Sequence, residues 1–163
     1  MSLDSLHAEM AIVDRRQSAT ALTIARGTAR LLLSFGFACV SELALPSGRR
    51  ADLVALADNG EIWIVEIKSS IADFRADQKW MDYRLHCDRL FFATSLEVPC
   101  EIFPTDTGLI VADAFGGSIV CEAPDHRLPG PTRKIMMLRF ARAAALRLQG
   151  LNDPGGHYTD EIA

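Results

Sequence analysis

Between Arg49 and Ser70 the chain reads RRADLVALADNGEIWIVEIKSS, two apolar runs of strand composition joined by the turn signal Asp58-Asn59-Gly60. Each run carries ionisable residues where a strand would bury valine and isoleucine: Asp52 in the first, Glu66 and Lys68 in the second. Taking a carboxylate out of water is strongly unfavourable unless a cation or another partner compensates it. Any fold built around this hairpin must supply that partner, so the stretch marks a candidate site.

The turn decides the chemistry. A two-residue Asn59-Gly60 loop would set Asp52 opposite Ile67 and on the other face from Glu66, because side chains alternate along a strand. A three-residue loop with Gly60 in the left-handed conformation, or an equivalent bulge, sets Asp52 opposite Glu66. The second register is the one expected. Glu66 and Lys68, two apart, share a face in either case. With Asp52 beside them, two carboxylates can share a hard divalent cation such as Mg2+, with Mn2+ as a substitute, and the carbonyl of Ile67 is a further candidate ligand. Lys68 would then orient or deprotonate a water, or stabilise charge in the transition state. The competing reading is a buried ion pair between Lys68 and a carboxylate with no cation, and the spacing alone leaves both open.

The 163 residues suit a single domain, 1–163, with a real core, and the ends, 1–14 and 152–163, are expected to be flexible. No apolar run is long enough to span a bilayer and the start MSLDSLHAEM lacks a signal core, so a cytoplasmic protein without membrane contact is expected. Cys39, Cys87, Cys100 and Cys121 form no CxxC pair, which excludes a zinc knuckle or a dithiol redox site and predicts reduced, mostly buried thiols. A net charge of −4 argues against indiscriminate attraction to nucleic acid. Positive charge is nevertheless concentrated: Arg133, Lys134, Arg139, Arg142 and Arg147 fall in a stretch without an acid, and Arg15, Arg16, Arg26 and Arg30 mark the first helical segment. Such faces either guide a polyanion or are simply solvated.

Periodicity predicts a helix from about Ser18, as N-cap, to Phe35, with Leu22, Ala25, Ala29, Leu32 and Leu33 as its apolar stripe and Gly36 as its terminator. Strands follow at Phe37–Leu45, Arg50–Ala57 and Glu61–Ser69. A helix over Asp73–His86 places Phe74, Gln78, Met81 and Leu85 on one face, so Gln78 is expected to point inward. The fourth strand, Asp88–Thr94, should lie parallel to the third through a right-handed crossover. Gly108–Ala112 and Ser118–Glu122 read as a hairpin around Phe115, and Thr132–Gln149 as the last helix. Glu42 shares parity with Val40 and Ala44, which leaves it facing either the site or solvent. Arg49 and Arg50, just before the Asp52 strand, are candidates for phosphate contacts, with Lys79 and Arg75 beside them; a hairpin charge pair is the alternative for the two arginines. Trp80 reads as core, with base stacking as the alternative.

This αβββαβ order resembles the PD-(D/E)XK nuclease superfamily. The segments SGRRADLVAL, VEIKSSIADFRADQKWMDYRLHCDRLFFA and TGLIVAD are similar to the MmcB-like DNA repair family of bacteria. The resemblance implies an α/β, restriction-endonuclease-like core, a central mixed sheet flanked by helices with a C-terminal hairpin and helix. It also implies metal binding by Asp52 and Glu66, catalysis by Lys68, and support from Gln78, with Tyr83 following. Many relatives carry an acid on the first helix, but Ser18–Phe35 contains none, and Glu42 is the candidate substitute. The expected function is a metal-dependent, DNA-directed phosphodiesterase acting in DNA repair. The alternative is a catalytically weak or inactive nuclease-fold module that binds DNA or docks a partner. A homodimer through the terminal hairpin is a further expectation.

Overall fold

A computed structural model describes residues 3–159, and the side chains from 19 to 159. The expectations about residues 1, 2 and 160–163, and about the side chains of Arg15 and Arg16, lie outside the described residues. The elements are helix α1 (Leu3–Ser34), strands β1 (Ala38–Ala44), β2 (Arg50–Leu56) and β3 (Ile62–Ile67), helix α2 (Ile71–Ala76), β4 (Arg89–Thr94), β5 (Gly108–Ala112), β6 (Gly117–Cys121) and helix α3 (Gly130–Asn152). A 3-10 segment, Trp80–His86, links α2 to β4. The strands form one six-stranded sheet in the order β1-β2-β3-β4-β5-β6, antiparallel at its two sides and parallel at β3-β4 and β4-β5. This is the mixed α/β sheet flanked by helices, with a C-terminal hairpin and helix, that the sequence predicts.

Helices cover both faces. Ile24 and Leu32 of α1 pack with Leu53, Trp63, Val65, Phe91 and Ile110 on one side. Met136, Phe140 and Ala143 of α3 pack with Val54, Ile64, Leu90 and Tyr83 on the other. The alternation 53/54 and 63/64/65 is the period-two pattern of strands buried on both sides, and every residue of β3 is buried. A smaller aromatic cluster of Phe92 and Phe103, with Phe74 and Trp80 against it, closes the end of the sheet beside α2; Trp80 is half-buried, packed edge-on to Phe92 with the Arg84 guanidinium over its ring.

Several sequence expectations shift. Ser18 lies inside α1 rather than at its start, and the buried stripe is Ala21, Ile24, Ala25, Thr28 and Leu32, while Leu22 and Leu33 are exposed. Gly36 does terminate the helix: at φ +87° it lets its own amide reach the Leu33 carbonyl while Phe37 reaches that of Leu32. The predicted Asp73–His86 helix is broken between Ala76 and Trp80. Met81 and Leu85 are exposed as a result, and Cys100 and Cys121 are exposed rather than buried.

The basic residues of α3 also read differently in three dimensions. Arg133 forks onto both oxygens of buried Asp88 at 2.7 Å each. Arg139 donates to the Ala44 carbonyl, and Arg147 to the carbonyls of Ser41 and Glu42. These guanidinium groups staple α3 to the sheet and hold carbonyls of the outer strand β1.

Candidate active site

The β2-β3 hairpin has the register that brings the carboxylates together. Leu56 pairs with Ile62 and Leu53 with Val65, so the next pair in the series is Asp52 and Glu66. The loop is the three-residue form: the Ala57 amide donates to the Glu61 carbonyl, the Gly60 amide to the Ala57 carbonyl, and Gly60 holds φ +88°. At the position of the 52/66 pair the side chains take over from the backbone ladder. The Asp52 amide donates to Glu66 Oε1 at 3.0 Å, and the Ile67 amide donates to Asp52 Oδ2 at 2.7 Å. Each carboxylate thus grips the facing strand with one oxygen.

Burial and proximity of like charge set the electrostatics. Glu66 is 4% exposed. Burial first, and then the charge of Asp52, push its carboxyl up to about 9. Asp52 is raised as well, chiefly by burial, against the lowering effect of the Ile67 amide. Each carboxylate disfavours the ionisation of the other, and Glu66, raised to about 9, keeps its proton near neutrality.

Lys68 lies on the same face, 6% exposed. Its backbone is fixed on both sides, the amide donating to the Ala93 carbonyl and the carbonyl accepting from Thr94 Oγ1 at 2.7 Å. Its ammonium bonds Asp77 Oδ2 at 2.8 Å, and its charge also reaches Asp52 and Glu66. Asp77 is a residue that sequence reasoning missed: helical spacing over 73–86 puts it only at the border of the Phe74–Met81 face, and nothing in that pattern links it to Lys68. The extended backbone at Asp77, where α2 ends, directs its carboxylate to Lys68. Burial pushes the Asp77 carboxyl up, but the Lys68 ammonium and the Lys79 amide outweigh that and hold it below the ordinary carboxylate range. The legible signal for the start of α2 was Ser70-x-x-Asp73: Ser70 Oγ caps the Asp73 amide, and Asp73 Oδ2 accepts from the Ser69 amide.

Tyr83 stands beneath the site. Its hydroxyl donates to the Arg50 carbonyl at 3.2 Å, two residues before Asp52. Burial and then the neighbouring carboxylates push it up to about 12, which keeps it a hydrogen-bond donor.

Other predicted residues fall outside this group. Gln78 is exposed, its amide donating to the Arg75 carbonyl, so the inward orientation read from helical periodicity is wrong. Glu42 sits across from Asp52 in the β1-β2 register, but it is exposed and left-handed at φ +51°. That backbone breaks the pleat: Val40 and Leu43, three apart, both pack into the α3-side core. The parity argument for Glu42 therefore fails, although its charge still contributes to raising Asp52. Arg49 is engaged with Asp82 at 2.8 Å, a partner in the Trp80–His86 segment and not in the hairpin itself. Arg50 is exposed and its guanidinium touches the Glu42 carbonyl; Lys79 is exposed. α1, on which the resemblance led to the expectation of a further acid, packs on the face opposite Tyr83.

Among the described residues no group of three or more His, Cys, Asp or Glu side chains has the arrangement of a metal cluster. The oxygen donors at the centre are two carboxylates, and their raised affinity for a proton is what a hard cation would relieve. A cation that keeps several waters and takes one or two carboxylates fits that donor set.

Comparison with known proteins adds the family context. Residues 8–155 match the family model described as DNA repair protein MmcB-like. A solved structure, the SPO1766 protein of unknown function from Silicibacter pomeroyi, is 46% identical, with a TM-score of 0.82 over 85% of this chain and 94% of that one. No curated protein matches the chain. Among the described residues no helix is long and apolar enough to cross a membrane.

Proposed function

The chain belongs to the MmcB-like DNA repair protein family, and from that premise we propose that it is a metal-dependent phosphodiesterase of the PD-(D/E)XK type acting on DNA. The observation that carries the reading is the crossed pair of buried carboxylates, Asp52 and Glu66, with Lys68 on the same face. Asp52 and Glu66 would hold Mg2+ or Mn2+ through the oxygens not engaged by the facing strand, with the Ile67 carbonyl beside them. The bound cation would lower the pKa of a coordinated water and neutralise charge on the scissile phosphate. Lys68, buried and anchored at both backbone groups, would present its ammonium to the charge that develops during attack. Tyr83 would keep the Arg50–Asp52 backbone in place. Arg50 and Lys79 would meet the DNA backbone at the rim, and Arg49 would do so on exchanging its partner Asp82 for phosphate.

The direct test incubates the purified protein with labelled single-stranded, duplex and branched DNA in Mg2+ or Mn2+. Cleavage by the wild type, with loss of at least 100-fold in Asp52→Ala and Lys68→Ala, on the order expected for removing a transition-state donor, is the expected result. Cleavage by Lys68→Ala at the wild-type rate would falsify the mechanism.

A second reading has a specific observation behind it: the Lys68 ammonium is engaged by Asp77 and not free beside the two carboxylates. On that reading the chain is a DNA-binding or partner-docking module without turnover. Salt-sensitive DNA binding that ignores a chelator and yields no cleavage would favour it.

A homodimer through the terminal hairpin would pair at β6, and the contrast between the two sheet edges supports that reading. Arginines hold carbonyls of β1, whereas β6, GSIVC, carries neither charge nor proline, the usual protections of an exposed edge; its own Val120 is exposed, as is Phe115 in the turn before it. Antiparallel pairing with a second copy would extend the sheet about a two-fold axis.

A further inference from the structure

We propose that Asp77 is the positioning residue for Lys68, holding its ammonium beside the Asp52–Glu66 pair; the inference rests on the nuclease reading and assigns that site a fourth member. A lysine is a point charge on a four-carbon stem with free rotation at each bond, so fixing its backbone does not fix its ammonium. Asp77 does so at the far end of the stem. Its Oδ2 lies 2.8 Å from Lys68 Nζ, in a pair whose side chains are 7% and 16% exposed.

The carboxylate is itself immobilised. Asp77 Oδ1 accepts from the Lys79 amide at 2.9 Å, and the Asp77 amide donates to the Phe74 carbonyl as the C-cap of α2. The extended backbone at Asp77, φ −89° and ψ +104°, ends α2 after Ala76 and turns the carboxylate toward β3. Phe74 locks α2 in turn by packing edge-on against Phe92 and Phe103. From the aromatic cluster to Lys68 Nζ, every link is a named contact. The break in the helix is thus the device that delivers a counter-charge to Lys68, and it explains why Gln78, the next residue, is left outside.

The role differs from that of a merely structural ion pair in how Asp77 couples to Lys68. Asp77→Asn keeps the size and the Lys79 contact but loses the charge, and Asp77→Glu keeps the charge one methylene further out. With wild-type protein, Mg2+ and labelled duplex DNA, Asp77→Asn is expected to lower kcat by about 100-fold, as for a misplacement on the order of 1 Å, with KM unchanged. Asp77→Glu is expected to recover part of that loss. In the Lys68→Ala background Asp77→Asn should have no further effect, because the two act as one unit.

An activity-independent readout is the 1H–15N signal of the Lys68 ammonium, expected in the wild type through protection from exchange and absent in Asp77→Asn with the backbone spectrum otherwise retained. Wild-type kcat in Asp77→Asn, or a full additional loss in the Lys68→Ala background, overturns the proposal. So does an ammonium signal indifferent to Asp77. Should the wild type cleave no DNA under any condition, the nuclease reading fails by itself, and the ammonium signal still decides whether Asp77 holds Lys68.

Discussion

Glu66 carries the electrostatic tension of the molecule. Between the ordinary glutamate value of 4.5 and about 9 the folded protein keeps a proton that the unfolded chain releases. The stability contributed by protonated Glu66 is therefore complete below 4.5 and is lost as pH rises through that window. A divalent cation that takes the place of the proton should reverse the trend. Thermal melts of the metal-free protein are expected to fall from pH 6 to pH 9, and the rise in Tm on adding Mg2+ or Mn2+ to be larger at pH 8.5 than at pH 6. A cation effect equal at both values would separate ion binding from this pair. Glu66→Gln keeps an acceptor for the Asp52 amide and removes the charge; it should melt no lower than the wild type above pH 7, lose the cation-dependent shift and abolish cleavage. Gln78→Ala, by contrast, should leave kcat within about twofold of wild type, the usual indifference of an exposed site. A large loss there would show that Gln78 turns inward when DNA binds.

At the scale of elements, two contacts join helices to the sheet at points that tolerate little change. Asp88, 3% exposed, accepts from the amides of Ile62 and Leu128 and from both arms of Arg133, tying the start of β3, the approach to α3 and α3 itself to one carboxylate. Burial alone would raise it, but Arg133 and the two amides hold it below the ordinary range, so its contribution is present above the unfolded value and is lost as pH falls through the lower folded one. Asp88→Ala should cost about 3 kcal/mol, a Tm drop of ~10 °C for a chain of this size by calorimetry or circular dichroism. A drop under ~2 °C would mean that Arg133 finds another partner. Gly27 of α1 is the second point. A Cβ there would run into the carbonyls of Asp113 and Gly116, so this helix meets the β5-β6 turn backbone to backbone. Gly27→Ala, which would favour an isolated helix, should instead destabilise the protein, measurable as a lower urea midpoint.

Taken as a whole, the molecule is a sheet with two unlike edges. β1 contains the strained Glu42, left-handed at a cost of about 1–2 kcal/mol, and its carbonyls are held by Arg50, Arg139 and Arg147. β6 has no such protection. Sedimentation at micromolar concentration is expected to return a dimer for the wild type and a monomer for Val120→Lys, whose charge would disrupt an uncharged edge; a monomeric wild type would leave β6 as an ordinary free edge. The site lies between these edges, on the central strands and on the face that α3 and Tyr83 cover, which is why the first helix supplies it with no carboxylate.

The chain's own order of residues determined the strands, the turn at 58–60, the pairing of Asp52 with Glu66 and the parallel fourth strand. Each follows from local rules: period-two burial, a left-handed glycine and the length of a crossover. Tertiary structure alone decided what joins Lys68, where Gln78 and Glu42 point, and what the α3 arginines do. Periodicity cannot register a helix that breaks at an aspartate paired with a lysine nine positions before it, nor a pleat that one left-handed residue inverts. A guanidinium that caps a distant carbonyl reads in sequence the same as one that waits for phosphate. Long-range contact chooses between those alternatives, because only packing fixes which polar group is left without water.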